Sequence, residues 1–254
     1  MSRYELLNNL AHQDLRVNTR LLAQQGANIG AVPAFPTEFA ELQREYPIFL
    51  RKDQEGGYAA VALLGLAPDE NLFLEDERWT GNYLPGALAR GPFAIGFQEK
   101  QVDGEVRAEP VIYVDVEDPR VLRGGDEGQP LFLPQGGNSP YLEYVANVLR
   151  GIHYGVEAGK EMYAALETAG LIRPMDMQVK VTEDFVANIT GLHGVDRQAL
   201  LALEGEPLQE LHRKGWLEGA FLMVASLNNM GRLIGAKQRR LLREAGDAGA
   251  AQAG

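Results

Sequence analysis

The sequence predicts an α+β fold in which a mostly antiparallel N-terminal sheet packs with long C-terminal helices. Short apolar runs separated by Gly and Pro fill the first half of the chain and are typical of strands. Apolar residues recur at helical spacing over residues 139–169 and 216–243, which indicates two long helices in the second half. The 254 residues include no cysteine, so disulfides and thiolate sites are excluded.

The first predicted elements are a strand at residues 15–18 and a short helix that begins at Thr37. A threonine hydroxyl followed by acidic residues in the first turn is typical of a helix N-terminus. Phe39 and Leu42 lie three residues apart and share the buried face of that helix. Pro47 disfavours helical geometry in the residue before it, so the helix is expected to stop there.

Two antiparallel hairpins follow in the N-terminal half. Residues 48–53 and 58–64 read as strands joined by a turn with two glycines, which tolerate positive φ. Residues 92–101 and 111–116 form the second pair, and Asp103-Gly104 is a strong signal for the tight turn between them.

The second half is predicted to be mainly helical. Ser139 and the proline after it begin a helix that runs to about residue 169. A half-buried strand follows at residues 175–182, and Asp196 caps a short helix. Residues 216–243 are predicted to form one last long helix.

Glycines spaced four residues apart suggest close helix packing. Gly151, Gly155 and Gly159 lie along one side of the first long helix, where each weakens the helix by about 1 kcal/mol relative to Ala. Gly231 and Gly235 form a similar notch near the end of the chain. The two notches are therefore predicted to face each other.

The Gly-rich stretch 123–138 is the best candidate for a boundary between lobes. We expect a β-rich lobe at residues 1–138 and a helical lobe at 139–245, together forming one compact unit. The low-complexity segment 246–254 is expected to be a disordered tail.

Charge and hydropathy limit the possible functions. The net charge of −11 opposes binding to nucleic acid. No signal peptide and no apolar run of about 18 residues is found, so the protein is expected to be soluble and cytoplasmic, without a membrane span. The sequence does not determine the oligomeric state.

Candidate ligand-binding residues cluster around Trp79. Arg78, Trp79, Tyr83 and Arg90 combine arginines with aromatics, a set that suits an anionic or sugar-like ligand, although a packed core would look the same. His153 lies among the helix glycines and is a further candidate. No catalytic residue can be assigned.

Other sequence features point to no metal or cofactor. The four histidines form no metal-binding spacing, and the Gly-rich segments lack nucleotide-binding motifs. Residues 232–243 carry five basic residues and no acid, which suits either a helix C-terminus or an anionic partner.

Several motifs resemble those of the SapC family, proteins named after a locus associated with bacterial surface-layer proteins. The resemblance is densest between residues 32 and 97 and continues more weakly to residue 234. The family pattern has a second basic or aromatic residue where this chain has Gly91. The matching residues are Pro36, Glu38-Phe39, Leu42-Gln43, Tyr46-Pro47-Ile48, Leu64-Gly65-Leu66, Asn71-Leu72-Phe73, Trp79, Tyr83-Leu84-Pro85, Arg90, Pro92-Phe93, Gly191-Leu192-His193-Gly194-Val195-Asp196, Gly215-Trp216-Leu217 and Ser226-Leu227.

The resemblance implies a bacterial accessory or binding protein without established catalysis, which serves envelope, surface-layer or nutrient-uptake systems from the cytoplasm. Its partner would be a protein or a small anionic or sugar-like ligand. The alternative is an enzyme, or a subunit of one, that acts on such a ligand in an Arg/Trp-lined pocket. A helix-turn-helix regulator at residues 196–234 is a third hypothesis, which the acidic net charge weakens.

Overall fold

The computed structural model describes residues 2–19, 28–76, 78–102 and 105–252. Its strands are β1 Tyr4–Leu6, β2 Leu15–Val17, β3 Ala31–Pro33, β4 Ile48–Lys52, β5 Tyr58–Leu63, β6 Leu74–Glu75, β7 Arg78–Trp79, β8 Phe93–Val102, β9 Glu105–Asp115, β10 Val121–Arg123, β11 Gln129–Pro130, β12 Ile172–Pro174, β13 Met177–Lys180, β14 Val186–Ile189 and β15 His193–Val195. Its helices are α1 Phe39–Leu42, α2 Gly86–Ala89, α3 Pro140–Thr168, α4 Arg197–Leu201, α5 Gly205–Arg213, α6 Trp216–Ser226 and α7 Met230–Gln252, with 3-10 turns at Pro36–Glu38 and Leu227–Asn229.

The strand pairs among the described residues are antiparallel, and the α+β class is confirmed. Several small sheets take the place of a single large one. The predicted hairpin of β4 and β5 is confirmed, with Ile48 opposite Ala62 and Lys52 opposite Tyr58. Its turn contains Gly56 at φ 88°, a left-handed conformation that glycine adopts without strain. This hairpin lies within a five-stranded sheet of order β12-β15-β4-β5-β3.

The chain divides into two compact units, each built from two separate stretches. The first unit comprises residues 1–25 and 86–154, and the second comprises 26–85 and 155–254. Helix α3 therefore contributes its first half to one unit and its second half to the other. This division does not coincide with the predicted boundary near residue 138, and the lobes at 1–138 and 139–245 stay a prediction.

The first unit is organised around the long hairpin of β8 and β9. The two strands pair from Phe93 opposite Val114 to Val102 opposite Glu105, while the Asp103-Gly104 turn lies outside the described residues. Alternate residues of such strands point to one face. That face contributes to a core of Leu15, Val17, Phe93, Val114, Leu131, Phe132, Leu142, Val145 and Leu149.

In the second unit, helix α6 packs on strands β4 and β15 of the five-stranded sheet. Ser226 joins helix and sheet, because its hydroxyl accepts a 2.9 Å hydrogen bond from the backbone N–H of Ile48. A Cβ placed at Gly219 of α6 would stand 2.6 Å from Cε of Met162 in α3. The two helices are therefore in close contact.

Helix α3 confirms its predicted start and end. The hydroxyl of Ser139 accepts a 3.1 Å hydrogen bond from the N–H of Leu142, which satisfies one free donor of the first turn. Gly170 follows the helix at φ 67°. Asp196 likewise caps α4 as predicted, since its carboxylate accepts from the N–H groups of Gln198 and Ala199.

Two helix predictions are corrected. Thr37 does not cap a helix, because it lies inside the 3-10 turn Pro36–Glu38 and α1 begins only at Phe39. The predicted last helix is divided at Leu227–Asn229. Ser226 donates to the carbonyl of Met223 at 2.6 Å, and the amide of Asn229 donates to the carbonyl of Gln43 at 2.8 Å. Such side-chain bonds to the backbone compete with regular helix geometry.

The glycine notches do not face each other. A Cβ added at Gly155 would stand 2.6 Å from Cβ of Phe35 and 2.7 Å from Oγ1 of Thr37. The close approach predicted at Gly155 is thus confirmed, but its partner is the segment before α1. A Cβ at Gly231 would meet no heavy atom within 4 Å, so the predicted pairing with the last helix is wrong.

Helix α7 continues through Gln252, and the two residues after it lie outside the described part of the chain. The disordered tail at 246–254 stays a prediction. None of the helices in the described ranges combines the length and the apolar character that a membrane span requires.

Candidate functional site

The predicted residues Trp79 and Tyr83 belong to an aromatic cluster in the second unit, which also contains Tyr46 and Phe73. The ring centres of Tyr46 and Phe73 lie 4.5 Å apart, and Trp79 stacks on Phe73 at 5.8 Å. The Tyr46 hydroxyl donates to the carbonyl of Tyr83 at 2.5 Å. Burial raises the pKa of the Tyr46 phenol, so it keeps this proton. The cluster therefore holds the loop after β7 against Tyr46, which follows α1.

Buried carboxylates also hold the loop after β7. Glu38 accepts a 2.8 Å hydrogen bond from the Tyr83 hydroxyl, and Glu45 accepts a 2.8 Å bond from the backbone N–H of Asn82. Both acids are less than a tenth exposed. A Cβ at Gly81 would stand 2.5 Å from the Tyr46 hydroxyl, so the loop needs glycine there. Trp79 and Tyr83 thus make contacts that stabilise the packing of this loop in the second unit.

The other predicted ligand-binding residues have separate surroundings. Arg78 is exposed on β7, opposite Glu75 of β6. Arg90 belongs to the first unit, where its Nη1 donates to the carbonyl of Phe93 at 2.9 Å. His153 also belongs to the first unit, and its ring lies 4.6 Å from that of Phe97. The structure brings Trp79 and Tyr83 together, and the role of all five residues in ligand binding stays a prediction.

The described residues contain no group of three His, Asp or Glu side chains that could hold a metal ion. His12 is buried and lies 3.1 Å from Glu5 through its Nε2. Asp115 accepts a 2.8 Å bond from the backbone N–H of Arg3. These contacts join elements of the first unit.

One cleft of the second unit lies along helix α7, and we call it the arginine cleft. It has a volume of about 430 Å³, within the range of about 300–1,000 Å³ typical of ligand pockets. One wall is helix α7 and the other is formed by the chain around β6. Its lining residues are Leu72, Phe73, Glu75, Thr80, Gly231, Arg232, Leu233, Gly235, Ala236, Arg239 and Arg243.

Three arginines and a single carboxylate line this cleft. Arg243 pairs with Glu75 at 3.1 Å, and Arg232 donates to the carbonyl of Arg44 at 3.2 Å. Arg239 has no ion pair or hydrogen bond within the described ranges, although it lies in the cleft wall. The lining therefore carries a positive excess of about two charges in a chain whose net charge is −11.

Two further clefts lie beside it. One of about 270 Å³ shares Leu72, Glu75, Ala236 and Arg243 with the arginine cleft and adds Arg240. The other, of about 420 Å³, has Arg232 in common with it. The residues that line this third cleft are Glu41, Arg44, Glu45, Asn82, Tyr83 and Arg232.

Contacts on other faces of α7 hold its arginines in place. Lys237 pairs with Glu70 at 2.6 Å, with both side chains nearly buried, and its ammonium lies 4.9 Å from the ring centre of Phe185. The amide of Gln238 donates to the carbonyl of Val181 at 2.6 Å. These contacts fix the rotation of the helix, so Arg232, Arg239 and Arg243 keep facing the cleft.

The aromatic cluster supports the opposite wall. Phe73 lines the arginine cleft and stacks on Trp79. The predicted residue Trp79 therefore supports the wall of this cleft without lining it. The basic run at residues 232–243 was the sequence signal for the helix wall. Sequence patterns gave no sign that Leu72, Phe73 and Thr80 would face it, because that depends on tertiary packing.

The fold is thus an α+β protein with a basic cleft on its last helix. A model of the SapC family matches residues 7–233, and the chain therefore belongs to the SapC family. Searches of curated proteins and of solved structures gave no match. Arg232 lies inside the matched range, whereas Arg239 and Arg243 lie beyond it.

Proposed function

We propose that this protein is a cytoplasmic accessory protein of bacterial envelope, surface-layer or nutrient-uptake systems, and that it acts by binding an anionic ligand in the arginine cleft. Membership of the SapC family supports the accessory role. The arginine cleft supplies the binding chemistry.

The observation that carries this proposal is that Arg239 lines the cleft without a charged partner among the described residues. Other charged residues of α7 are used within the protein: Lys237 pairs with Glu70 and Arg243 with Glu75. Arg239 lies in the wall of the same cleft and has no such partner among the described residues. A guanidinium presents five donors in a planar fork that suits carboxylate and phosphate groups.

The electrostatics of the cleft favour an anion over a neutral ligand. Three guanidinium groups face a single carboxylate, and the walls around Leu72 and Phe73 are apolar and buried. An apolar wall lowers the local dielectric constant and strengthens charge interactions at its edge. Because the rest of the chain is acidic, an anion is attracted here and repelled elsewhere.

The proposal is tested with citrate and inorganic phosphate as probe anions, by isothermal titration calorimetry at low salt. We expect binding that Arg239→Ala weakens and Arg239→Lys partly retains. Arg213→Ala removes an exposed arginine of α5 that does not line the cleft, and is the matched control. Equal binding by Arg239→Ala and Arg213→Ala would place the anion elsewhere and contradict the proposal.

A second candidate function is an enzyme, or a subunit of one, that acts on a small anionic or sugar-like substrate. The cleft of about 420 Å³ supports it, because the predicted residue Tyr83 lines it together with Glu41, Glu45 and Arg44. Native mass spectrometry of the purified protein separates the two functions. A co-purified substrate that is chemically converted on incubation, and that Tyr83→Phe leaves unconverted, would favour the enzyme.

A further inference from the structure

We infer that the arginine cleft and its neighbour form one groove that binds a short acidic segment of a partner polypeptide in extended conformation. This inference rests on the proposed function and names the class of ligand. The term "α7 groove" is used here for the cleft of about 430 Å³ together with the adjoining cleft of about 270 Å³.

The continuity and length of the α7 groove favour a polypeptide over a small anion. The two clefts share Leu72, Glu75, Ala236 and Arg243, so they are adjacent along the same helix. From Arg232 to Arg243 the helix advances eleven residues, or about 16 Å at 1.5 Å per residue. An extended chain covers that distance with about five residues. A single phosphate or carboxylate would contact only one end of the groove.

The spacing of the basic groups suits alternate side chains of an extended segment. Arg239 and Arg243 are four residues apart, so they lie on one face with a rise of about 6 Å. Alternate residues of a strand share a face and repeat every 6–7 Å or so. Two acidic residues at alternate positions of a bound segment would therefore meet Arg239 and Arg243, the latter in competition with Glu75.

The helix side of the groove is smooth enough for a main chain to approach. Gly235 and Ala236 lie between Arg232 and Arg239 along the helix, and Gly231 comes directly before Arg232; all three small residues line the groove. A Cβ placed at Gly231 would meet nothing within 4 Å, so space next to this glycine is open. The apolar residues Leu72 and Phe73 on the other side can contact the aliphatic parts of a peptide.

The charges that line the α7 groove favour an acidic segment as its ligand. The groove is lined by Arg232, Arg239, Arg240 and Arg243, against the carboxylates of Glu75, Asp76 and Glu244. Arg243 and Arg240 pair with Glu75 and Glu244, so these two arginines are partly neutralised. Arg232 and Arg239 retain their charge for a partner. An acidic segment complements both, and its attraction weakens with salt because the arginines are exposed.

The test is fluorescence anisotropy with a fluorescein-labelled hexapeptide of alternating Glu and Ala, at low salt. The isostere with Gln in place of Glu is the control peptide. We expect saturable binding of the acidic peptide only. Arg239→Ala should weaken it about two- to fivefold, the effect of one exposed ion pair. Arg213→Ala, outside the groove, should leave it unchanged.

Gly231→Ala provides a variant that keeps the fold intact. The added methyl group meets no atom of the free protein within 4 Å, so the melting temperature should not fall. If a main chain lies against Gly231, peptide binding should drop at least about tenfold, since a clash of about 1.4 kcal/mol already has that effect. Unchanged peptide affinity in Gly231→Ala would overturn the inferred backbone approach.

The outcomes separate this inference from the proposed function. Citrate or phosphate binding without peptide binding would overturn the inference and leave the proposed function standing. Sedimentation with phosphatidylglycerol vesicles, in place of peptide binding, would also overturn it. Failure of the peptide and of both small anions would contradict the inference and the proposed function together.

Discussion

Gly155→Ala is expected to destabilise the protein although alanine is the better helix former. The new Cβ would stand 2.6 Å from Cβ of Phe35, whereas non-bonded carbons prefer about 3.5–4.0 Å. The Cβ of Phe35 is attached to the main chain, so relief of the overlap requires the backbone before α1 to shift. Overpacking of this kind costs about 1–3 kcal/mol, and the gain in helix propensity is about 1 kcal/mol. We expect a net loss of up to about 2 kcal/mol in the free energy of unfolding, where an unhindered site would show a gain.

Urea unfolding followed by circular dichroism measures this loss. Gly235→Ala is the matched control: it is also inside a long helix, and its Cβ would only touch Nη1 of Arg239 at an ordinary 3.5 Å. That variant should be more stable than the wild type by about 0.5–1 kcal/mol. If Gly155→Ala is stabilised to the same degree as Gly235→Ala, with an unchanged m-value, the close contact with Phe35 does not exist.

Three further variants test the contacts that hold the second unit. Lys237→Met leaves the nearly buried carboxylate of Glu70 without its cation and should lower the unfolding free energy by about 3 kcal/mol. In a double-mutant cycle, adding Glu70→Gln should restore part of this loss. Ser226→Ala strands the buried N–H at the start of β4, and should cost about 1–3 kcal/mol in urea unfolding with no change at the α7 groove. The backbone N–H of Ala199 donates to Asp196 and lowers the pKa of its carboxyl below the ordinary value of 3.8. The stability that this carboxylate contributes is therefore complete above pH 3.8, the pKa of the unfolded chain. It is lost as the pH falls through the lower pKa of the folded protein. Asp196→Ala should therefore be less stable than the wild type at pH 7, and a gap in thermal unfolding that persists undiminished towards pH 2 would contradict this account.

The sequence alone predicted local structure wherever a single residue type forces the backbone. Ser139 begins α3, Asp196 caps α4, and the turn with Gly56 joins β4 to β5, all as expected. The groups that form these caps and turns lie a few residues apart along the chain, so they can be recognised without knowledge of the fold. The motifs around Trp79 were likewise sufficient to indicate the family.

Tertiary structure decided which faces meet and which stay open. The helix break at Leu227–Asn229 depends on bonds from Ser226 and Asn229 to segments about 180 residues away in the chain. Gly155 contacts Phe35, and Gly231 lies in an open cleft, although both have the same spacing pattern in the sequence. A glycine notch shows that a backbone can approach, but only the packing of distant segments determines whether one does. For the same reason the basic run at 232–243 suited either a helix C-terminus or an anionic partner, while the cleft that it lines depended on where Leu72 and Phe73 were placed.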